Sequence, residues 1–294
     1  MSKTDAYSLL LNAVSPGEEA LDADEQDLDD DNLDDELDGT EKNELLQGQV
    51  DECFRQIEYR VAAFGDHYPF VLEQGSLSLK QNLTAHQQFY LILLAASRTR
   101  TFNSITGFKQ RLADVFEAQS LFCLKQMLPD EADVVSFGPT SEDRQQRFGS
   151  NLLDALPRLA KLMGVEMTNG WDQDLSPQGD AGIDLVGVQK LDTSQGGWNV
   201  FLAQCAAHEE ASSWSKKRAE AKLSFYHYLF SYSVESQGVL FIPGCFRQAN
   251  GKWAQRRYTD GVIVMDRLRL MRIISDCDNL PDAFEEFFDQ NLAA

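Results

Sequence analysis

Two short apolar runs near the middle of the chain constrain its fold more than any other feature. Leu185-Val186-Gly187-Val188 and Val200-Phe201-Leu202-Ala203-Gln204-Cys205-Ala206 are separated by turn-forming Asp, Ser and Gly residues, and read as two buried strands joined by a turn. The first run is preceded by Gly179-Asp180-Ala181-Gly182-Ile183-Asp184. Asp184 therefore lies between Ile183 and Leu185-Val186, where an ionised side chain requires a cation or several hydrogen bonds to be tolerated. Gln204 carries its carbonyl near the end of the second run, in an otherwise apolar phrase. An acidic residue entering one strand and an amide oxygen ending its neighbour form a pair able to hold a hard cation beside a phosphate.

The run Gly179-Asp180-Ala181-Gly182-Ile183-Asp184, with Gln204 following on the next strand, resembles the PD-(D/E)xK nuclease superfamily, in particular the Mrr-type restriction endonucleases. In that family a Gly-Asp-x-Gly-Ile-Asp run precedes a strand ending in Gln-x-Lys. The lysine has no counterpart at its usual place, where Ala206 stands. The resemblance implies a Mg²⁺- or Mn²⁺-dependent endonuclease with Asp184, Gln204 and Glu117 as metal and catalytic residues. Glu117 enters through a Phe116-Glu117 pair on a helix upstream of the motif. Asp180, flanked by Ala181 and Gly179, reads first as a turn residue. Lys216 and Lys217, in the segment after the second strand, stand in for the missing lysine, with His208 as the competing substitute able to orient water near neutral pH. Trp214 is expected to pack the start of that helix.

The net charge of −21 argues at first against a nucleic-acid partner, since phosphate binding is driven by cations. The charge is unevenly spread. Residues 1–45 hold sixteen Asp or Glu against two Lys, a net of −14, which leaves −7 for everything after. A segment this acidic does not collapse on itself at neutral pH and reads as a disordered tail, either solubilising or a phosphate mimic. At the other end Arg247, Lys252, Arg256 and Arg257 alternate with Phe246, Trp253 and Tyr258, a composition suited to holding phosphates and stacking bases or to an exposed hairpin.

The chain is 43% hydrophobic, enough for a core without staples. Its five cysteines are widely separated, with no CxxC pair, which points away from a zinc site or a disulfide framework. No apolar run approaches the length of a bilayer span and no leader peptide is evident, so a soluble, cytoplasmic chain is expected.

Three regions are expected: a disordered acidic tail over 1–46, a helical region over 47–130, and an α/β core over 131–294. In the helical region, Val50, Phe54, Ile57, Val61 and Phe64 share one helical face; further helices are expected from Thr84, as a cap, through Ser97 and from about Thr106 to Met127. In the core, a strand at Asp133–Phe137, a helix over Glu142–Met163 interrupted by Pro157, and a long helix over Glu209–Tyr232 accompany the motif strands. Strands at Val239–Ile242 and Gly261–Asp266 and a helix from Leu268 to Ile274 complete it. The fold class is α/β, a restriction-endonuclease-like mixed sheet flanked by helices. The resemblance implies DNA as substrate, a separate sensor, ATPase or helicase as partner, and a role as effector of a bacterial anti-phage defence system. The alternative is a nuclease-fold subunit without activity that binds a partner or nucleic acid.

Overall fold

The computed structural model describes residues 39–193, 196–207, 214–232, 234–256 and 259–292. At its centre is a five-stranded mixed sheet of β3 (Asp133–Ser136), β5 (Leu185–Gln189), β6 (Asn199–Cys205), β8 (Gln237–Phe241) and β9 (Ile263–Met265), in that order. The first three strands form an antiparallel meander, and β8 and β9 run parallel to β6. The apolar runs at 185–188 and 200–205 become two of the three inner strands because helices cover both faces, which buries alternate residues on either side. On one face Leu185, Ala203, Val239 and Phe241 pack against α2 (Ala85–Ser97), α3 (Phe108–Met127), α6 (Arg267–Ile274) and α7 (Asp282–Asn291). On the other, Val186, Val188, Val200 and Leu202 pack against α4 (Leu152–Met163) and the segment around Tyr226–Phe230.

Local chemistry explains several boundaries. Thr84 caps α2 through a reciprocal box with Gln87: the Gln87 N–H donates to Thr84 Oγ1 and the Thr84 N–H to Gln87 Oε1. Asn151 caps α4, and Gly164, in the left-handed region at φ 68°, ends it. The parallel step from β6 to β8 is made through α5 (Trp214–Glu220), whose end lies so close to β8 that a Cβ on Gly238 would run into the Ala221 carbonyl oxygen.

Several expectations are corrected. The region 47–130 is not wholly helical, since a β1–β2 hairpin (Phe70–Glu73 and Ser76–Leu79) follows the first helix. That helix, α1, begins at Gly39 and runs to Phe64, eight residues ahead of the expected boundary; residues 1–38 of the acidic tail lie outside the described residues. Ile57 and Phe64 are buried as the spacing requires, whereas Val50 and Val61 face solvent. Helices α2 and α3 share one apolar cluster with the sheet. Glu142–Met163 divides into a π-turn at Arg144–Phe148 and α4, and the break falls at Gly149, φ 94°, leaving Pro157 inside the helix. Of the long helix expected over Glu209–Tyr232, residues 209–213 lie outside the described residues, and the described part is α5, followed by a 3₁₀ turn at Leu223–Tyr226 and β7 (Phe230–Ser231), which pairs with β4 (Glu166–Met167). Among the described residues no helix is long and apolar enough to cross a membrane.

Candidate functional site

The antiparallel register that pairs Leu185 with Ala203 puts Asp184 across from Gln204, one step beyond the paired residues. Both stand at the edge where β3, β6, β8 and β9 end and β5 begins, at the point where the sheet changes from antiparallel to parallel. Crevices at strand carboxyl ends beside such a change of direction are where open α/β sheets bind ligands. The loop that feeds Asp184 into place is tightly wound: Gly179, Ala181 and Gly182 all have positive φ, at 95°, 56° and 79°. Asp180 closes it by accepting the Gly182 N–H at 2.7 Å, which makes it a turn residue. Arg144, fully buried, ties the same loop by donating to the Gly179 carbonyl at 2.5 Å and to those of Phe137 and Ser150 at 3.3 Å.

Asp184 Oδ2 accepts the Cys205 N–H at 2.7 Å and lies 3.6 Å from Lys217 Nζ. Burial raises the Asp184 pKa above the usual carboxylate range, against the opposing pull of the Lys217 ammonium and the Cys205 N–H. Gln204 is 1% exposed. Its amide nitrogen donates to the Gly182 carbonyl and, at 3.2 Å, to Tyr226 Oη, while its Oε1 accepts from Lys217 Nζ at 2.9 Å. The network fixes the amide orientation, because the reverse would aim its N–H groups at an ammonium. Two oxygens from neighbouring strands thus converge on one positive charge. That charge is supplied by the first turn of α5, since the chain must cross over β6 to reach β8.

Lys217, not Lys216, is the lysine at the site. Lys216 is 85% exposed on its side chain and, among the described residues, pairs with Glu220 at 3.7 Å. The Lys217 ammonium also lies 3.4 Å from Glu220 Oε2, one turn along the same helix. Burial alone would lower the Lys217 pKa, but Asp184 and Glu220 more than offset it and the net shift is upward. Ala206, at the expected lysine position, is fully buried among Leu240, Ile242, Phe246 and Val264. An ammonium there would face an apolar cluster, and the lysine that reaches Gln204 comes from α5 instead. His208 and the Trp214 side chain lie outside the described residues.

Glu117 stands apart from this group. In β6, Gln204 shares its face with Leu202, toward Tyr226, whereas the next residue, Cys205, faces α3, with Ser120 and Glu117 nearby. Glu117 accepts the Ser136 hydroxyl at 2.6 Å. Burial raises its pKa, Ser136 opposes the shift, and Asp184 adds to it. Glu117 borders an open cavity of about 560 Å³ whose rim carries Asp114, Glu142 and Asp143. Among the described residues, no three His, Cys, Asp or Glu side chains are gathered closely enough to hold a metal ion. Asp184 and Gln204 nevertheless suit a hard cation, since their oxygens already share one.

The C-terminal cations are placed differently. Arg247 makes a double hydrogen bond to Asp266, at 2.8 and 3.3 Å, and stacks on Trp253 at 3.6 Å, so it braces the fold. Lys252 is exposed, Arg256 is exposed beside Asp260 at 3.9 Å, and Arg257 and Tyr258 lie outside the described residues. Sequence reasoning passed over Glu220, Tyr226 and Arg144. Only Glu220 had a usable signal, its i,i+3 spacing from Lys217. No protein-family model, no curated protein and no solved structure matches the chain.

Proposed function

We propose that this chain is a metal-dependent nuclease with a restriction-endonuclease-like core, acting on DNA phosphodiester bonds. The observation that carries the reading is the meeting of Asp184, Gln204 and Lys217, which rebuilds an acid, an amide oxygen and a lysine at one strand end although the linear motif lacks its lysine. The order of strand, strand, helix, strand, strand through β5, β6, α5, β8 and β9 supports the same resemblance. Asp184 and Gln204 would hold Mg²⁺ or Mn²⁺. When bound, such an ion polarises the phosphoryl oxygen and makes a coordinated water a stronger nucleophile. Lys217 steadies the charge that develops on the phosphate, and Gln204, locked by Gly182 and Tyr226, holds its oxygen in place for the ion. Glu117, carried by α3 and hydrogen-bonded to Ser136, enters this reading only through the resemblance, as a third acid that would assist the ion. A sensor, ATPase or helicase partner and a setting in anti-phage defence belong to this proposal through the resemblance.

The second reading, a subunit without activity, is favoured by the acidic rim of Asp114, Glu142 and Asp143, which repels a polyanion. Incubating plasmid DNA with the protein in Mg²⁺ or Mn²⁺ separates the two. Cleavage is expected, reduced roughly 10²-fold or more by Lys217→Met and by Asp184→Ala. Cleavage undiminished in Asp184→Ala sinks the assignment, and no cleavage by the wild type favours the scaffold.

A further inference from the structure

We propose that Lys217 and a divalent ion compete for the oxygens of Asp184 and Gln204, and that Glu220 is the positioning residue that receives the displaced ammonium. The inference rests on the reading of Asp184 and Gln204 as cation-holding oxygens and adds to it a mechanism that controls loading.

Three oxygens surround Lys217 Nζ: Gln204 Oε1 at 2.9 Å, Glu220 Oε2 at 3.4 Å and Asp184 Oδ2 at 3.6 Å. The ammonium lies within 3.6 Å of both the Asp184 and the Gln204 oxygen, so an ion held by both would share its immediate surroundings. Magnesium requires oxygen distances of about 2.0–2.1 Å, whereas an ammonium hydrogen bond spans about 2.7–2.9 Å. Both cations on the same oxygens would bring like charges within a few ångströms of each other in a largely buried site, where repulsion is poorly screened. One of them has to leave.

Glu220 gives the lysine a destination. It is 7% exposed, packed beside Gly182, and buries an Oε2 that makes no hydrogen bond among the described residues, its contact being the looser 3.4 Å ion pair with Lys217. A side-chain rotation of Lys217 that leaves Gln204 converts that contact into a hydrogen bond without moving α5. Glu220 also sits on the same helix as Lys217, so the pair stays together whatever the strand end binds. In this scheme Glu220 acts on the ion only through Lys217.

Titration with Mn²⁺, followed by the electron paramagnetic resonance of the free ion, tests the competition without reference to cleavage. Lys217→Met is expected to bind Mn²⁺ roughly tenfold more tightly than the wild type, because the built-in competitor is gone. Lys216→Met, which removes the same charge one residue away, is expected to stay within about twofold. Glu220→Gln should weaken binding in the wild-type background and have no effect in the Lys217→Met background, as a residue acting through the lysine must. Circular dichroism melts of each variant confirm folding.

Lys217→Met binding no more tightly than the wild type, or Lys216→Met matching its gain, overturns the competition. A Glu220→Gln effect that persists without Lys217 overturns the role given to Glu220. If Asp184→Ala abolishes Mn²⁺ binding in these cases, the metal site itself survives. Binding unchanged in Asp184→Ala, or no binding by any variant, overturns the metal reading and the competition with it.

Discussion

Two of the cation–carboxylate pairs in or near the sheet are built to opposite ends. In the first, Asp266 is fully buried and both its oxygens are taken: Arg247 donates to Oδ2 at 2.8 Å and to Oδ1 at 3.3 Å, and the Arg269 N–H adds a further bond to Oδ1 that caps α6. Burial lowers the Arg247 pKa, but its bonds to Asp266 outweigh that and raise it. In the second, Asp184 meets Lys217 at 3.6 Å, beyond a good hydrogen bond, and its pKa is raised by burial. The planar guanidinium fork matches a carboxylate, and the flexible lysine does not. A pair that satisfies all its valences stabilises a fold; a pair left incompletely matched keeps a charge available for a ligand.

Removing one acid from each pair is expected to have the greatest and most unequal consequences. Asp266→Ala is expected to cost about 3–5 kcal/mol in urea unfolding, because it strands a buried guanidinium and uncaps α6. Asp184→Ala should cost no more than about 1 kcal/mol, since a carboxylate whose pKa is raised on folding favours the unfolded chain when ionised. Equal losses would show that the two pairs are not different in kind.

A smaller effect sharpens the account of the displaced lysine. Ala206→Lys, which restores the linear motif, is expected to destabilise by about 2–4 kcal/mol without raising DNA cleavage, because residue 206 points into Leu240, Ile242 and Phe246. A stable, more active variant would place the lysine role at 206 after all.

The smallest effect concerns the half-buried Asp133. Asp133 bonds Lys190 at 2.8 Å and Arg147 at 2.9 Å; burial would raise its pKa, but these partners pull it below the usual carboxylate value. Its contribution is present above the unfolded value near about 4 and is lost as pH falls through the lower folded value. Asp133→Asn should therefore cost less than about 1 kcal/mol at neutral pH, and the difference from wild type should vanish in acid melts.

Much of the fold was legible because its cues are local. The Thr84 box, Gly164 after the Leu152, Leu156 and Leu159 stripe, and strands β5 and β6 each depend on residues a few positions apart. Legibility failed where distant packing decided the outcome. Val50 and Val61 fit the helical period yet face solvent, and the segment expected as one helix to Tyr232 stops at Glu220, where the chain must turn back to place Gly238 against Ala221. Of the expected site, Asp184 and Gln204 meet through strand register. Lys217 was named only together with Lys216. Glu117 comes from α3, on the face toward which Cys205 points, whereas Gln204 turns toward Tyr226.

The amino-acid sequence alone determined that an acid and an amide would flank adjacent buried strands, because alternation of burial and turn chemistry act over a few residues. Only the tertiary structure decided which cation meets them. Residues 184, 204, 217 and 220 come from three separate elements, and the positions of their charges depend on how a crossover helix docks on a sheet, a constraint no short stretch of chain contains.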